Sequence, residues 1–193
     1  MKLLFLLTFL FIQLIEYHPI PISNIQDPTE IIIDCNYTFE EAINGIEIPN
    51  SIIIQLTLVD VEYYSFDDQL HRGQIVINKK AVEDIKAIFD FIKTSRFPIA
   101  KVIPIVKYNW DDETSMNENN TTAFNYRKVK GSKVLSSHSS GMAIDINPLQ
   151  NPHIKGGKIN PSNGKYAIKA PGTILKDSKL VNEFVKRGLV LEN

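Results

Sequence analysis

A histidine and an aspartate flank a glycine turn in residues 136–148, and both side chains are able to bind a metal ion. Seven positions separate His138 from Asp145, and Gly141 between them permits the tight backbone turn that would bring the two side chains together. Zinc accepts imidazole nitrogen and carboxylate oxygen, although a zinc site normally has at least three protein ligands. The pair therefore indicates a metal site, and the alternative is a capped turn with a solvated aspartate.

Apolar residues alternate with polar or small ones from position 142 to position 147. Neighbouring side chains of a strand point to opposite faces, so that Met142, Ile144 and Ile146 would face the core and Asp145 the other side. We therefore expect a half-buried strand directly after the glycine turn.

The same residues match a known zinc-peptidase motif at each of its fixed positions. The motif reads Ser, any residue, His, two residues, Gly, any residue, Ala, any residue, Asp, and here it begins at Ser136. The segment resembles the VanY/VanX-type zinc D-alanyl-D-alanine carboxypeptidases and the L-alanyl-D-glutamate peptidases of bacterial cell walls. Further similar stretches extend the resemblance over roughly residues 63–188, and they comprise residues 71–74, 108–112, 119–127 and 147–152.

The resemblance implies an α+β fold, in which helices pack beside a small, mainly antiparallel sheet of the hedgehog or D,D-peptidase type. It implies that His138 and Asp145 bind Zn²⁺ and that Arg127 grips the substrate, the alternative for Arg127 being a surface salt bridge. Ser136 and Ser137 would bind a substrate carboxylate or shape the turn. The implied substrate is a peptidoglycan stem peptide, cut by a D-Ala-D-Ala carboxypeptidase or an L-Ala-D-Glu endopeptidase.

Relatives carry an acidic general base and a third zinc-binding histidine in a late Trp- and Gly-rich segment, which we do not find after Gly188. We therefore expect a C-terminally shortened domain that is not fully active alone. His153, eight residues after Asp145, is a candidate substitute ligand, whereas Glu192 stands too near the end to be held rigidly as a base. The alternatives are a non-catalytic relative that binds cell-wall peptides and a truncated, inactive gene product.

Composition narrows the function classes further. The chain has 193 residues, 44% of them hydrophobic, which suits one core rather than two domains. A formal net charge of −1 without a dense Lys/Arg run argues against a nucleic-acid partner. Cys35 is the single cysteine, so that an internal disulfide is excluded and any metal must be held by histidine and carboxylates. The oligomeric state is left open.

Three parts follow one another along the chain. Residues 1–18 hold Lys2 and an apolar run from 3 to 12, which predicts a signal peptide or N-terminal anchor and therefore export to the periplasm or the cell exterior. Residues 19–50 are interpreted as a linker or extension with a short helix near 38–44. Residues 51–193 are interpreted as the peptidase-like domain, with no membrane contact beyond the possible anchor.

Within the domain, residues 52–59 and 71–78 predict strands, and Asn78 is the expected cap of a helix from 79 to about 93. Prolines make residues 97–107 an edge or bent strand, and polar composition makes 110–125 a surface loop. His71 is expected to hydrogen-bond a neighbouring loop. Residues 148–171 are predicted to be loop, and a final helix is expected after Asp177 or Ser178, with Gly188 at its end and the apolar stripe Leu180, Val181, Phe184 and Val185.

Overall fold

The computed structural model describes residues 30–189 of the chain, and the architecture there is α+β, as predicted. The leader expected in residues 1–18 lies outside the described residues. The hedgehog-like arrangement of the elements stays a prediction. Between residues 30 and 189, no helix is long and apolar enough to cross a bilayer.

A three-stranded sheet lies at the centre of the fold. Strand β2 (Leu56–Tyr64) pairs antiparallel with β3 (Leu70–Asn78) along its full length, and β1 (Ile32–Ile33) adds parallel to the other edge of β3. The central position of β3 explains why residues 73–78 are all buried. The strand predicted for 71–78 is confirmed.

Helix α3 (Val82–Ser95) covers one face of the sheet. Asn78 ends β3, and its side-chain oxygen accepts a hydrogen bond from the Lys80 amide (3.1 Å), which caps a 3-10 turn (Lys79–Ala81) leading into the helix. The helix buries one stripe of side chains in the main core cluster, as the 3.6-residue period requires. The stripe consists of Ile85, Ile88, Phe89 and Ile92. The predicted cap and helix are both confirmed.

The opposite face of the sheet is covered by residues between 37 and 52 together with Trp110, Phe124 and Tyr126. Alternate residues of β3 divide between two core clusters, with Ile75 and Ile77 in the α3 cluster and Val76 in a second, smaller one. The predicted short helix is confirmed as α1 (Phe39–Ala42), begun by a capping box between Thr38 and Glu41, and it contributes Ala42 to the smaller cluster.

The strand predicted for residues 52–59 is wrong at its start. Residues 50–53 form helix α2 (Asn50–Ile53) after Pro49, and the strand begins only at Leu56. Proline is favoured near the start of a helix, but the β-branched residues that follow Pro49 led to the prediction of a strand.

Residues 97–125 differ from the prediction in both of their parts. Only β4 (Lys101–Val102) forms in the first part, paired parallel with β5 (Asn120–Thr121), and a 3-10 helix (Ile105–Tyr108) follows Pro104. The predicted surface loop over 110–125 is wrong, because it contains helix α4 (Asp112–Asn117) and residues 120–125 are buried. Their polar side chains tolerate burial because they are hydrogen-bonded, as where the Asn120 amide pairs with both backbone groups of Ile103.

The strand predicted directly after Gly141 does not form. The backbone pairs at one place only, where Thr122 and Asp145 exchange two hydrogen bonds (2.9 and 3.2 Å). Ile146 is buried as expected, but Met142 is 47% exposed because the turn leaves it at the surface. The predicted loop over 148–171 is also corrected, since it contains a hairpin of β6 (His153–Lys155) and β7 (Lys158–Asn160).

The last described element is helix α5 (Lys179–Val185). The Ser178 hydroxyl caps it, and Leu180, Val181 and Phe184 are buried, as predicted. Val185 is a correction to the expected stripe, because its side chain is exposed one position beyond the helix face that meets the core. Gly188 is left-handed at the C-terminus of the helix, as predicted.

A buried polar network ties β1 to β3. The Asp34 carboxylate accepts a hydrogen bond from the Tyr63 hydroxyl and lies 2.8 Å from His71 Nδ1, while His71 Nε2 lies 3.2 Å from Asp67. This confirms that His71 hydrogen-bonds neighbouring segments. Burial alone would lower the pKa of His71, but the hydrogen bonds to Asp34 and Asp67 outweigh it and raise that pKa above its usual value.

Gly141 presses the motif turn against the end of the sheet. Its backbone is left-handed (φ +65°), and its carbonyl accepts a hydrogen bond from the Asn78 amide (3.0 Å). A Cβ atom at this position would lie 2.7 Å from Asn78 N and 2.9 Å from Leu56 Cδ2. Only glycine fits here without displacement, so the turn that carries His138 has a fixed place on β3.

We predict that Asp67→Asn weakens the pH dependence of stability. Because His71 binds its proton more tightly in the native state, its contribution is complete below the unfolded pKa of about 6.5 and is lost as the pH rises through the raised native pKa. The free energy of unfolding in urea should therefore fall between about pH 6 and pH 8, and less so in the variant. The control is Asp68→Asn, whose exposed carboxylate pairs with Arg96. An equal effect of both substitutions would contradict the assignment.

We predict that Gly141→Ala destabilises the fold by at least about 2 kcal/mol, since it adds a steric conflict to an unfavourable backbone conformation. Gly131→Ala is the matched control, because Gly131 is also left-handed (φ +78°) but has no atom within 4 Å of a built Cβ. Its cost should be about 1 kcal/mol, from the backbone alone. Urea denaturation measures both values, and equal losses would show that the contact with β3 is unimportant.

Candidate functional site

A 3-10 turn places His138. The turn (Ser137–Ser140) begins at Ser136, whose hydroxyl accepts a hydrogen bond from the His138 amide (3.3 Å), and it ends at Gly141. Inside the turn, the buried Ser139 hydroxyl donates to the Arg127 carbonyl (2.6 Å) and accepts from the Arg127 amide (3.0 Å). The turn is therefore hydrogen-bonded to the backbone of Arg127, another predicted site residue.

The orientation of the His138 ring follows from one hydrogen bond. Nδ1 lies 2.8 Å from the Ala123 carbonyl, and a carbonyl only accepts, so Nδ1 carries a hydrogen. In neutral histidine this leaves the lone pair of Nε2 free, and Nε2 lies 3.4 Å from Asp145 Oδ2. A metal-binding histidine is commonly held in this way by a carbonyl behind it.

Asp145 is held by the backbone pairing with Thr122, which turns its carboxylate towards His138. Desolvation is the largest influence on this carboxyl and raises its pKa, and nearby Asp112 raises it further. His138, Arg127 and His153 act in the opposite direction without cancelling the rise. The raised pKa therefore comes mainly from desolvation of the carboxyl group, which the nearby positive groups offset only in part.

Asp112 holds Arg127 at the edge of the site. Asp112 Oδ2 lies 2.8 Å from Arg127 Nη2, and Asp112 Oδ1 accepts a hydrogen bond from the Asn125 side-chain amide (3.0 Å). Both members of the ion pair are about one-quarter to one-third exposed, at 25% for Asp112 and 30% for Arg127. Among the described residues, Arg127 Nε and Asn125 Oδ1 are buried without a partner. Such atoms are rare in native proteins, where strain, a functional role or a bound water or ion accounts for them.

The remaining predicted residues lie around this centre. Ser136 is buried and caps the turn, which is the structural role foreseen for it, whereas Ser137 is exposed. His153 stands in the exposed β6, near enough for its charge to influence Asp145. Whether any of the three binds substrate or metal stays a prediction.

The paired ligands fit a zinc ion in their chemistry and spacing. A lone pair on Nε2 and a carboxylate oxygen repel each other unless a proton or a cation lies between them. Two ligands of one tetrahedral zinc ion, each at about 2.0–2.1 Å, are separated by about 3.4 Å, as His138 Nε2 and Asp145 Oδ2 are here. Over residues 30–189, however, no group of three or more His, Cys, Asp or Glu side chains is arranged to hold a metal.

Sequence reasoning did not identify Asp112 or the Ala123 carbonyl. The pair Asp111 and Asp112 stood in a segment interpreted as loop, where carboxylates are ordinarily solvated. In the structure Asp111 caps α4 by accepting from the Thr114 amide (2.7 Å), which leaves Asp112 in the first turn, facing Arg127. An aspartate three residues before a threonine, as Asp111 and Thr114 are, is compatible with a helix N-terminus, and this was the signal in the sequence that could have placed Asp112 on a helix.

Comparison with known proteins supports the motif-level resemblance. A family model described as D-alanyl-D-alanine carboxypeptidase matches residues 130–190, about a third of the chain. The match contains His138, Asp145 and the β6–β7 hairpin, and it begins three residues after Arg127. Neither the curated proteins nor the solved structures yielded a match. Residues 130–190 are therefore similar to the D-alanyl-D-alanine carboxypeptidases, as the motif predicted.

Proposed function

We propose that the protein binds Zn²⁺ through His138 and Asp145 and acts on peptidoglycan stem peptides, as a D-Ala-D-Ala carboxypeptidase or an L-Ala-D-Glu endopeptidase. The observation that carries this is the 3.4 Å approach of His138 Nε2 to Asp145 Oδ2, inside the matched family segment. The family match supports a metallopeptidase-like protein at the coarser level. The peptide bond and the metal belong to the proposal.

Each residue has a defined task in this proposal. His138 and Asp145 hold the ion, which when bound would activate water for hydrolysis of an amide bond. Arg127 presents a planar set of donors to a substrate carbonyl or carboxylate, and Asp112 positions it.

Export is part of the same proposal, since stem peptides lie outside the cytoplasm. It rests on Lys2 and the apolar run over residues 3–12. Fractionation of cells producing the chain, with and without these residues, would test it. Retention of the full chain in the cytoplasm would contradict it.

Zinc binding is the first test. We predict one bound zinc per chain, and we expect His138→Ala or Asp145→Asn to weaken the affinity by more than about 100-fold, because removing a direct ligand costs more than removing its supporting group. Competition with a chromophoric chelator measures this. Asp177→Asn, at an exposed carboxylate, is the control. His153→Ala decides the substitute ligand, because a comparable loss in this variant would identify His153 as the third protein ligand.

Hydrolysis is the second test. The zinc-loaded chain should release D-alanine from a pentapeptide ending in D-Ala-D-Ala, or cut the same peptide after L-Ala, and mass spectrometry distinguishes the products. Arg127→Lys should lower kcat/KM by about 100-fold, because lysine lacks the planar fork of donors. Arg96→Lys, at an exposed arginine, is the matched control. Undiminished turnover in Asp145→Asn would refute the assigned site.

A second candidate function is a non-catalytic module that binds cell-wall peptides. It is favoured by the lack of a third grouped metal ligand in residues 30–189 and by the pairing of Arg127 with Asp112. Calorimetry with the uncleaved pentapeptide separates the two. Binding that persists in a chelator, together with no cleavage once the chain is loaded with zinc, would establish the module and exclude the peptidase.

A further inference from the structure

Charge is distributed very unevenly along the described chain. Residues 30–125 contain sixteen acidic and eight basic side chains, whereas residues 126–176 contain one acidic and nine basic side chains, histidine not counted. The formal net charge of −1 for the whole chain conceals this difference. Asp145 is the single acid in the basic segment, and it belongs to the candidate site. A concentrated positive field of this kind attracts anionic partners.

The basic segment also carries most of the exposed apolar surface. Of thirteen large hydrophobic side chains that are exposed in the described residues, nine lie between positions 126 and 176. Contiguous exposed apolar groups with a polar rim mark sites of contact with proteins or membranes. Lysine and aliphatic groups together favour a partner that offers both negative charge and apolar contact.

The first such surface is hairpin A, which comprises residues 127–136. Val129 N donates to the Val134 carbonyl (2.9 Å), and Lys128 bridges to Leu135, so that the aliphatic side chains sit on neighbouring strands. Val129 is 45% and Val134 67% exposed, and the tip bends at Gly131. Lys130 and Lys133 flank the tip and are exposed.

Hairpin B, residues 153–160, repeats this arrangement. Ile154 pairs with Ile159 across the two strands, and Lys155 pairs with Lys158 beside the Gly156–Gly157 tip. All eight residues are exposed, with Ile154 at 48% and Ile159 at 44%. Two aliphatic side chains thus face solvent beside one pair of lysines, and no other part of the described fold covers them.

Both hairpins are rooted at the candidate site. Hairpin A closes where Ser136 N donates to the Arg127 carbonyl (3.0 Å), one turn before His138. Hairpin B begins at His153, whose charge influences Asp145, and ends at Asn160, which contacts Met116 of α4. A partner that engages the hairpins would therefore lie beside the His138–Asp145 pair.

We propose that hairpins A and B dock on an anionic lipid bilayer, with their lysines at the headgroups and their aliphatic pairs in the interface below. Charge complementarity supports an anionic partner, since each lysine near such a surface contributes about 1 kcal/mol of attraction. The cross-strand aliphatic pairs favour a bilayer over a soluble polyanion, because only the bilayer takes them out of water. The proposal does not depend on zinc or on peptidase activity.

The experiment is co-sedimentation of the full chain with vesicles of phosphatidylcholine alone or with added phosphatidylglycerol, in a chelator. We expect binding to require the anionic lipid. Lys155→Glu with Lys158→Glu, or the equivalent pair Lys130→Glu and Lys133→Glu, should weaken the partition coefficient by at least about tenfold. Ile154→Ser with Ile159→Ser should weaken it as well, although the charge is unchanged.

The matched control is Lys80→Glu with Lys107→Glu, which makes the same charge change at exposed lysines of the acidic part and should retain most of the binding. Binding that is equal in all variants would assign the attachment to residues outside the hairpins and overturn the proposal. So would binding to polyglycerol phosphate that is as strong as vesicle binding and unaffected by the serine pair. Association between copies through the hairpins, seen by sedimentation velocity without vesicle binding, would replace the bilayer with a second chain.

Discussion

Asn78 is the point at which the sheet, the main helix and the candidate site are joined. Its amide donates to the Gly141 carbonyl, its side-chain nitrogen donates to the Ser140 carbonyl (3.0 Å), and its side-chain oxygen caps the turn before α3. All three bonds are buried or partly buried, where an unmade hydrogen bond is costly. The residue that ends β3 and caps the turn before α3 therefore also fixes the position of the His138 turn. The candidate site is thus held directly against the core of the fold.

The site itself is governed by electrostatics rather than packing. His138 Nε2 and Asp145 Oδ2 face each other in surroundings that raise the pKa of the aspartate, while the nearest guanidinium, that of Arg127, is engaged by Asp112. Such an arrangement would be stabilised by a cation between the two side chains. Three features hold the two side chains in this arrangement. They are the hydrogen bond from His138 to the Ala123 carbonyl, the backbone pairing of Asp145 with Thr122, and the turn at Gly141.

Apolar patterning was sufficient to predict two main elements of the fold. Helix α3 was identified because its apolar spacing matches 3.6 residues, and strand β3 because it contains a continuous apolar run, as a strand buried on both faces does. The motif drew attention to His138 and Asp145, whose side chains the fold brings within 3.4 Å of each other. The polar segment before Phe124 was misjudged, because composition alone does not show that Asn120 and Asn125 are buried and hydrogen-bonded. Periodicity also failed at Met142, where alternation was present but the backbone had no neighbouring strand to pair with. Tertiary hydrogen bonds made by amide side chains leave no periodic trace in a sequence.

The sheet also implies an order of assembly. Strands β2 and β3 are joined by a short turn over residues 65–69, whereas Asp34 must meet His71 across 37 positions of chain. Closing a longer loop costs more conformational entropy. The contacts of β1 with β3 compensate for this cost only after β3 has formed. The β2–β3 hairpin is thus the natural template, and the segment that carries β1 attaches to it later. Release of the segment that carries β1 would therefore leave the β2–β3 hairpin paired.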